Sequence, residues 1–351
     1  MGAATVLTSV ALDAMGGDHA PEATVAGAVR AARRLAVRVL LVGDQAQLEA
    51  ELSRYPDLPE GLEVVHADAV IGMDETPGPA LLHKRGASII VAANLVREGR
   101  ASAVVSAGNS GAAMGAAALR LGLLPGIDRP AIATLLPSHK KAVVVLDAGA
   151  TLDPRPENLR DFAWMGSVYA QALLQIERPR VGILSIGEEP AKGNALVKHA
   201  HPLIAALPIN FIGNVEGRHI ALGDVDVVVC DGFVGNVILK ATEGYAELFG
   251  TMLRERLSGG LRGRLGAWLL RPALQRLASQ FDYASHGGAL LVGVNGICVI
   301  AHGRSTPPAI ESAIRVANEL VKQGVVDQLK ASTHEPAASP MEAHASREPD
   351  S

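Results

Sequence analysis

The chain repeats one pattern: a short, wholly apolar run rich in β-branched residues, then a polar loop containing glycine, then a helical stretch. Examples of the apolar runs are residues 39–42, 143–146 and 227–229. Strands that are apolar along their whole length belong to sheets covered on both faces, and a helical connection joins parallel neighbours. The sequence therefore predicts an α/β protein of three layers, in which helices cover both faces of a mainly parallel sheet.

Length and composition narrow the architecture and the partners. A chain of 351 residues can form one large or two modest domains. We predict one folded domain over residues 1–330, an amphipathic helical insertion at 245–281 and a disordered tail at 331–351, where Pro, Ser, His and Glu dominate. Aromatic residues make up 3% of the chain and the net charge is −4. These values argue against a base-stacking or basic surface for nucleic acid.

Cysteine usage and the lack of a leader pattern indicate the compartment. Cys230 and Cys298 do not make a disulfide framework, and no signal-peptide pattern opens the chain, so a reducing cytoplasm is expected. Cys230 ends an apolar run and is predicted to be a buried structural thiol rather than a nucleophile. The longest charge-free run, between Arg100 and Arg120, is broken by Gly, Ser and Asn, so it is not predicted to span a membrane.

The first strand-to-helix connection, residues 11–21, combines two glycines with acidic and imidazole groups. Gly16 and Gly17 allow backbone N–H groups to approach an anion, and the following helix N-terminus adds a favourable dipole. Asp18 and His19 can orient a substrate or exchange protons. The same residues are also compatible with an ordinary turn in which Asp18 caps the helix. The loop lacks the GxGxxG pattern of dinucleotide-binding proteins.

A second connection of this kind is the Gly-Asn-Ser-Gly loop at 108–111, which can present amides and a hydroxyl to an oxyanion. Asn109, Ser110 and Gly111 are therefore candidate anion contacts. Ser110 is a weak candidate nucleophile, because the G-x-S-x-G elbow is missing and no base is paired with it. Lys84 is either part of a solvated helix face or a fixed cation beside a phosphate pocket.

Polar clusters follow the later strands as well. Open α/β sheets bind ligands at the carboxyl ends of their strands, so we expect the clusters to form one composite cleft. The candidate residues in these later clusters are Lys192, Asn194, Asn214, Asp231 and Asn236.

The segment 245–281 differs from the rest of the domain. Its apolar residues recur at spacings of three and four, and its arginines outnumber its acids. The pattern predicts a helical hairpin that packs on the core or on a second subunit. It fits an anionic membrane surface or an acidic carrier protein equally well. The residues chosen for such a surface are Arg262, Arg264, Leu265 and Trp268.

Several segments resemble, in order, those of the bacterial phosphate acyltransferases (acyl-ACP:phosphate acyltransferases). They are DAMGGDHAP at 13–21, VVSAGNSGA at 104–112, VGILSIGEE at 181–189 with KGN at 192–194, FIGNVEGR at 211–218, CDGFVGN at 230–236 and GGALLVGVNG at 287–296. The resemblance covers almost the whole chain to about residue 330. Thr151 stands where the family pattern has Asn, and Arg304 where it has Ser, which puts a cleft role for either position in doubt.

The resemblance implies a fold similar to that of isocitrate and isopropylmalate dehydrogenases and of phosphotransacetylases. It implies formation of acyl-phosphate from acyl-ACP and inorganic phosphate for phospholipid synthesis, without a cofactor or a metal. It also implies a homodimer that associates peripherally with the membrane, where the membrane glycerol-3-phosphate acyltransferase would be a partner.

Direct acyl transfer needs no side-chain nucleophile, because phosphate itself attacks the thioester; the protein must bind a dianion and stabilise an oxyanion. Together with the resemblance, this chemistry assigns two sets of roles. The predicted catalytic residues are Asp18, His19, Lys84, Asn109 and Asp231. The predicted substrate-binding residues are Gly16, Gly17, Ser110, Gly111, Lys192, Asn194, Asn214 and Asn236.

Two other functions were compared with acyl transfer. A nicotinamide-dependent dehydrogenase would share the fold, but the sequence has no GxGxxG fingerprint and its scattered Asp residues do not establish a metal triad. A non-catalytic adaptor that binds its partner through residues 245–281 would not explain the many polar clusters that follow the strands.

Overall fold

A computed structural model of the chain describes residues 7–258, 266, 269–270, 272 and 287–331. Its strands are β1 (Thr8–Asp13), β2 (Val37–Gly43), β3 (Leu62–His66), β4 (Ala103–Ser106), β5 (Ala131–Leu136), β6 (Val143–Leu146), β7 (Arg180–Leu184), β8 (Asn210–Val215), β9 (Val227–Val229), β10 (Ala289–Val292) and β11 (Ile297–Ile300). Its helices are α1 (Glu22–Arg34), α2 (Gln45–Leu52), α3 (Pro77–His83), α4 (Ser88–Arg97), α5 (Ser110–Leu121), α6 (Pro156–Leu174), α7 (Ala195–Ala205), α8 (Gly217–Leu222), α9 (Gly232–Ser258), α10 (Pro307–Lys322) and α11 (Val325–Ala331).

The strands form one 11-stranded sheet in the order β3-β2-β1-β4-β11-β10-β5-β6-β9-β7-β8. The first five strands of this order are mutually parallel, and so are the last four. Between them, β10 pairs antiparallel with β11 and β5, and β5 pairs antiparallel with β6. The α/β class and the mainly parallel sheet predicted from the sequence are confirmed. The two parallel blocks, however, run in opposite directions.

The wholly apolar strands bury alternate side chains in different cores. In β2, Val39 and Leu41 belong to the core on one face of the sheet, whereas Leu40 and Val42 belong to the core on the other. Helices α1, α6 and α10 contribute to the first core, and α4 and α5 to the second. Because successive residues of a strand point to opposite faces, a sheet covered on both sides needs this continuous apolar pattern.

Helix α9 is the longest helix among the described residues, with 27 residues. It begins at Gly232. It also continues through residue 245, where a change of character was predicted. The rest of the predicted hairpin, apart from isolated positions, and the predicted tail from residue 332 lie outside the described residues. No helix within the described ranges is long and apolar enough to cross a membrane.

Candidate functional site

Loops from four parts of the chain meet beside the carboxyl ends of β1, β4 and β11. We call residues 13–19, 70–75, 106–111 and 302–305 the glycine-loop cluster. The Asp18 amide donates to the Gly303 carbonyl at 2.8 Å, which joins the loops after β1 and β11. A Cβ atom on Gly16 would lie 2.8 Å from the Gly108 amide nitrogen, so the loops after β1 and β4 are in direct contact.

Gly17 shows why this meeting requires glycine. Its φ is 110°, a conformation that residues with a side chain rarely adopt. A Cβ there would also lie 3.1 Å from the Gly303 carbonyl oxygen and 3.2 Å from that of Ala107. The backbone of the loop therefore stays close to its neighbours and free of side-chain bulk, as an anion-binding loop requires.

Asp13 lies beneath the loops and is 3% exposed. The Ser106 hydroxyl donates to Oδ2 at 2.7 Å, and the Gly108 amide donates to the same hydroxyl at 3.1 Å. Oδ1 is buried with no donor in hydrogen-bond geometry among the described residues. Burial raises the pKa of Asp13, and the nearby Ser88 and Ser106 hydroxyls oppose this shift. Burial therefore disfavours the charged form of the carboxyl that lies beneath the loops.

Asn109, predicted to be catalytic, holds loops together. Its Nδ2 donates to the carbonyl oxygens of Met73 and Glu75, both at 3.0 Å, and to that of Gly72 at 3.4 Å. Its Oδ1 accepts from the Ala112 amide at 3.1 Å and so caps helix α5. The amides of the first turn of α5, at Ser110 and Gly111, have no partner within their own helix and remain candidate anion donors.

Lys84 reaches the same cluster from the end of α3. Its Nζ donates to the Val70 carbonyl at 2.8 Å and pairs with Glu75 Oε1 at 2.5 Å. Glu75 Oε1 also accepts from the Gly72 amide at 2.7 Å. Lys84 lowers the pKa of Glu75, so this carboxylate stays charged. The lysine therefore fixes the 70–75 loop on which Asn109 also depends.

The second group of predicted residues surrounds the carboxyl ends of β6, β7, β8 and β9, and we call it the Asp147 cluster. Asp147 is fully buried. Its Oδ1 accepts from the amides of Ile132, Gly149 and Ala150 at 2.8–3.0 Å, and its Oδ2 accepts from that of Thr151 at 2.5 Å. Burial raises the pKa of Asp147, whereas the four amides favour its charged form. This carboxylate anchors the whole β6–α6 connection.

Asp231 and Cys230 lie where β9 leads into α9. Asp231 Oδ1 accepts from the Val234 amide at 2.8 Å and caps the helix. The Cys230 thiol lies 3.6 Å from the Asp147 carbonyl oxygen, and burial raises its pKa well above the ordinary value. The prediction of a buried thiol at Cys230 is confirmed. A Cβ on Gly235 would lie 1.9 Å from the Asp147 carbonyl oxygen, so only glycine allows α9 to pack this closely.

Other predicted ligands of the Asp147 cluster have structural partners too. Asn194 accepts from the Val197 amide at 2.9 Å and caps α7. Asn214 donates to the Glu189 carbonyl at 2.7 Å and is 5% exposed. Lys192 is exposed. Asn194 and Asp231 both line a cavity of about 350 Å³, whereas the exposed Asn236 lies against Gly149.

His302, which was not chosen from the sequence, lies at the end of β11 and faces α9. Its Nδ1 accepts from the Arg304 amide at 3.1 Å, so a neutral ring carries its proton on Nε2. Burial lowers the pKa of His302, and the cations of Lys240 and Arg304 add to this shift, whereas Glu243 and Asp18 oppose it. The neutral ring can therefore donate one hydrogen bond from Nε2 near neutral pH.

Helix α9 connects the two clusters. It starts at Gly232, whose amide donates to the Thr151 carbonyl at 2.9 Å. Two to four turns later, Leu239 and Glu243 line a cavity together with His302 and Arg304. Thr151 is buried and its hydroxyl donates to the Pro130 carbonyl at 3.0 Å. Of the two positions that depart from the family pattern, Thr151 thus packs inside the fold and Arg304 lies at a cavity.

The predicted residues therefore divide between two places. The glycine-loop cluster contains Gly16, Gly17, Asp18, His19, Asn109, Ser110 and Gly111 and is tied to Lys84; the Asp147 cluster contains Lys192, Asn194, Asn214, Asp231 and Asn236. The predicted surface residues Arg262, Arg264, Leu265 and Trp268 lie outside the described residues. Among the residues that are described, no group of three or more His, Cys, Asp or Glu side chains is arranged to hold a metal ion.

Comparison with known proteins gives consistent results over the length of the fold. A family profile described as "Fatty acid synthesis protein" matches residues 8–328. A phosphate acyltransferase from Gloeothece citriformis is 51% identical over 325 residues, which cover 92% of this chain and 92% of the relative. A phosphate acyltransferase from Nostoc punctiforme is 52% identical over 324 residues, covering 92% and 95% of the two chains.

Among solved structures, a phosphotransacetylase from Streptococcus pyogenes aligns with a TM-score of 0.61 and 15% identity, covering 91% of this chain and 95% of its own. A 4-hydroxythreonine-4-phosphate dehydrogenase from Klebsiella pneumoniae aligns with a TM-score of 0.50 and 14% identity, covering 90% and 98%. At these identities the likeness shows a shared fold, and the fold alone does not separate acyl transfer from dehydrogenation.

Proposed function

Because this chain belongs to the phosphate acyltransferase family, we propose that it transfers a fatty acyl group from acyl-carrier-protein to inorganic phosphate, reversibly, forming acyl-phosphate for phospholipid synthesis. The observation that carries the proposal is that the loops of the glycine-loop cluster, including the one with His302, meet at one place. Backbone loops free of side-chain bulk, the N-terminus of α5 and a neutral imidazole lie at one edge of the sheet. This combination suits a dianionic nucleophile and a developing oxyanion.

In the proposed reaction, an oxygen of hydrogen phosphate attacks the thioester carbonyl carbon. A C–O bond to phosphate forms, the C–S bond breaks, and the proton of hydrogen phosphate passes to the carrier's thiolate. The Gly17 amide and the amides of the first turn of α5 bind the phosphate, and Asp18 and His19 orient it. His302 Nε2 donates a hydrogen bond to the oxyanion as it forms. Asn109 and Lys84 position the loops.

The Asp147 cluster is proposed to supply further substrate contacts through Lys192, Asn194, Asn214, Asp231 and Asn236. Asn194 and Asp231 line a largely apolar cavity with Ile183 and Val234. Such a surface supports binding of the carrier's prosthetic arm, which is partly polar and partly apolar. Asp231 keeps a second carboxylate oxygen for this role after capping α9.

We also propose a homodimer that associates with the membrane surface, where the membrane glycerol-3-phosphate acyltransferase would receive the product. Exposed apolar side chains on α9 support a further contact for this helix; Tyr245 is 63% exposed and Phe249 is 69% exposed. The arginine-rich segment that follows supports a partner with negative charge, either anionic lipid or the carrier. Sedimentation with and without anionic vesicles tests both parts of this proposal.

The test of the reaction is acyl-phosphate formation from purified palmitoyl-ACP and phosphate, with product trapped by hydroxylamine. Parallel reactions contain palmitoyl-CoA in place of palmitoyl-ACP, or NAD with no acyl donor. Product that requires both phosphate and the acyl donor is expected. Nicotinamide reduction without acyl-phosphate would replace the proposal with a dehydrogenase. A covalent acyl group trapped on Ser110 or Cys230 would replace direct transfer with a two-step mechanism.

A further inference from the structure

A cavity of about 280 Å³ lies between α9, the end of β5 and the segment after β11. From α9, the residues that line it are Leu239, Thr242, Glu243, Ala246 and Glu247. Their spacings of three and four place them on one face of the helix. The cavity therefore follows about two turns of α9.

The wall opposite α9 is apolar, whereas α9 and the segment after β11 contribute both apolar and polar residues to the lining. Leu135, Leu136 and Pro137 come from the end of β5. Leu136 is 2% exposed. His302 and Arg304 supply polar groups from the β11 segment. A ligand that suits this lining has a long apolar part and a polar group at one end.

The cavity lies next to the candidate phosphate loop, because one segment of the chain contributes to both. His302 lines it, the next residue is Gly303, and the Gly303 carbonyl accepts the Asp18 amide at 2.8 Å. In the proposed reaction the thioester carbon must touch the phosphate, so the acyl chain has to leave the reaction centre through an adjoining space. This cavity adjoins the loop and has an apolar wall formed by Leu135, Leu136 and Pro137.

We propose that this cavity holds the fatty acyl chain of the donor, with the thioester at His302 and the chain running along α9 past Ala246. The inference rests on the proposed function and deepens it, because it assigns the space that recognises the acyl chain. Glu243 also lines the cavity and pairs with Lys240 at 2.8 Å, which offsets part of its charge.

The test compares two alanines of the same helix. Ala246 lines the cavity, whereas Ala241 is exposed on another face of α9. Acyl-ACP donors of 8 to 18 carbons are assayed with wild type, Ala246→Trp and Ala241→Trp. Each methylene buried in the cavity is expected to raise kcat/KM about fourfold in wild type. Ala246→Trp is expected to abolish this gain for the longer donors and to keep activity with the shortest, whereas Ala241→Trp keeps the wild-type dependence.

Two further measurements separate the possible failures. Leu239→Ala enlarges the cavity and is expected to shift the preferred donor to a longer chain, which tests the proposal if Ala246→Trp fails to fold. Binding of a fluorescent 16-carbon fatty acid, measured without phosphate or carrier, is expected to weaken at least tenfold in Ala246→Trp and to stay unchanged in Ala241→Trp. This second readout does not depend on turnover.

An unchanged chain-length dependence and unchanged probe binding in Ala246→Trp would overturn the inference while leaving acyl-phosphate formation intact. A change of oligomeric state in Ala246→Trp with the chain-length dependence preserved would also overturn it, because a second copy would then occupy the cavity. If wild type makes no acyl-phosphate from any donor, the proposed function fails; loss of probe binding in Ala246→Trp alone would still support the cavity as an acyl site.

Discussion

Asp13 and Asp147 hold similar positions in the two blocks of the sheet but differ in their hydrogen-bond partners. Each lies at the carboxyl end of a parallel strand, β1 or β6, and each is buried. Asp147 accepts four backbone amides, whereas Asp13 accepts one hydroxyl and keeps a buried oxygen with no well-placed donor among the described residues. A carboxylate satisfied by its own loop stabilises the fold. A buried carboxyl with few hydrogen-bond donors has a shifted pKa, and this shift affects the charge of the site above it.

The largest effect is expected for Asp147→Ala, which leaves four amides, one buried and three partly buried, without an acceptor. The free energy of unfolding should fall by about 4 kcal/mol or more, and Asp13→Ala should lower it by only about 1 kcal/mol. Urea unfolding followed by circular dichroism measures both values. Asp147→Asn keeps one carbonyl oxygen and should fall between the two. Equal losses for the two alanine variants would remove the distinction between the aspartates.

His302→Ala is expected to lower kcat about 100-fold, because it removes the donor proposed for the oxyanion. Protonation at Nδ1 would break the hydrogen bond from the Arg304 amide that orients the ring. Because the pKa of His302 is lowered, wild-type kcat should fall on the acid side with a midpoint below the ordinary value of 6.5. This acid limb should vanish in the variant. Burial of the ring is the main cause of the lowered pKa, and the charges of Lys240, Glu243, Arg304 and Asp18 adjust it.

The control for His302 is His66, an exposed histidine at the end of β3 that pairs with Asp68 at 3.0 Å. His66→Ala should leave kcat and its pH profile unchanged. A kcat for His302→Ala within threefold of wild type would move the chemistry away from the glycine-loop cluster.

A smaller effect is expected when the 70–75 loop is released. Lys84→Met and Glu75→Gln each break the same contact, so both should raise the KM for phosphate about tenfold with similar kcat. Arg38→Met, which breaks a surface pair with Glu63, should leave the KM unchanged. If only Lys84→Met raises the KM, then Lys84 contacts phosphate directly, as its predicted catalytic role requires.

The smallest effect concerns the charge of Asp13. Its pKa in the folded protein is raised above the unfolded value of 3.8. The folded protein therefore keeps a proton that the unfolded chain has released, and stability falls as the pH rises from about 4 through the raised pKa. Asp13→Asn should remove this loss, so its stability relative to wild type should increase over that range. Urea midpoints of both proteins are measured from pH 4 to pH 7. If Asp13 ionises normally, the difference between the two midpoints will not change with pH.

The sequence predicted the layers of the fold because the apolar pattern reports burial directly. The sequence predicts a helix directly after the loop at residues 11–21, and α1 covers Glu22–Arg34. The direction of a strand does not change its apolar pattern. The antiparallel pairing of β5 and β10 was therefore not predicted, and β5 was not recognised at all. The expectation of one composite cleft assumed that all strands point the same way, and it stays a prediction.

The candidate site was harder to predict because ligands and caps use the same residue types. Asn109, Asn194 and Asp231 all precede helices, and each caps the helix that follows. Their positions near the site were predictable from the loops, but their hydrogen bonds were not. His302 was missed because a single histidine after a strand carries no pattern; its importance depends on α9, which approaches from a distant part of the chain.

The continuous sheet has a mechanical consequence. Many two-block enzymes close around a substrate by rotating about flexible connections. Here β10 and β5 join the two blocks through ladders of hydrogen bonds in the middle of the sheet. The six residues that pair between these two strands are all less than half exposed. Rotation would have to break these ladders, so substrate entry depends on movement of loops and of α9. Amides of β5 and β10 should then be among the slowest to exchange with deuterium, with or without substrate.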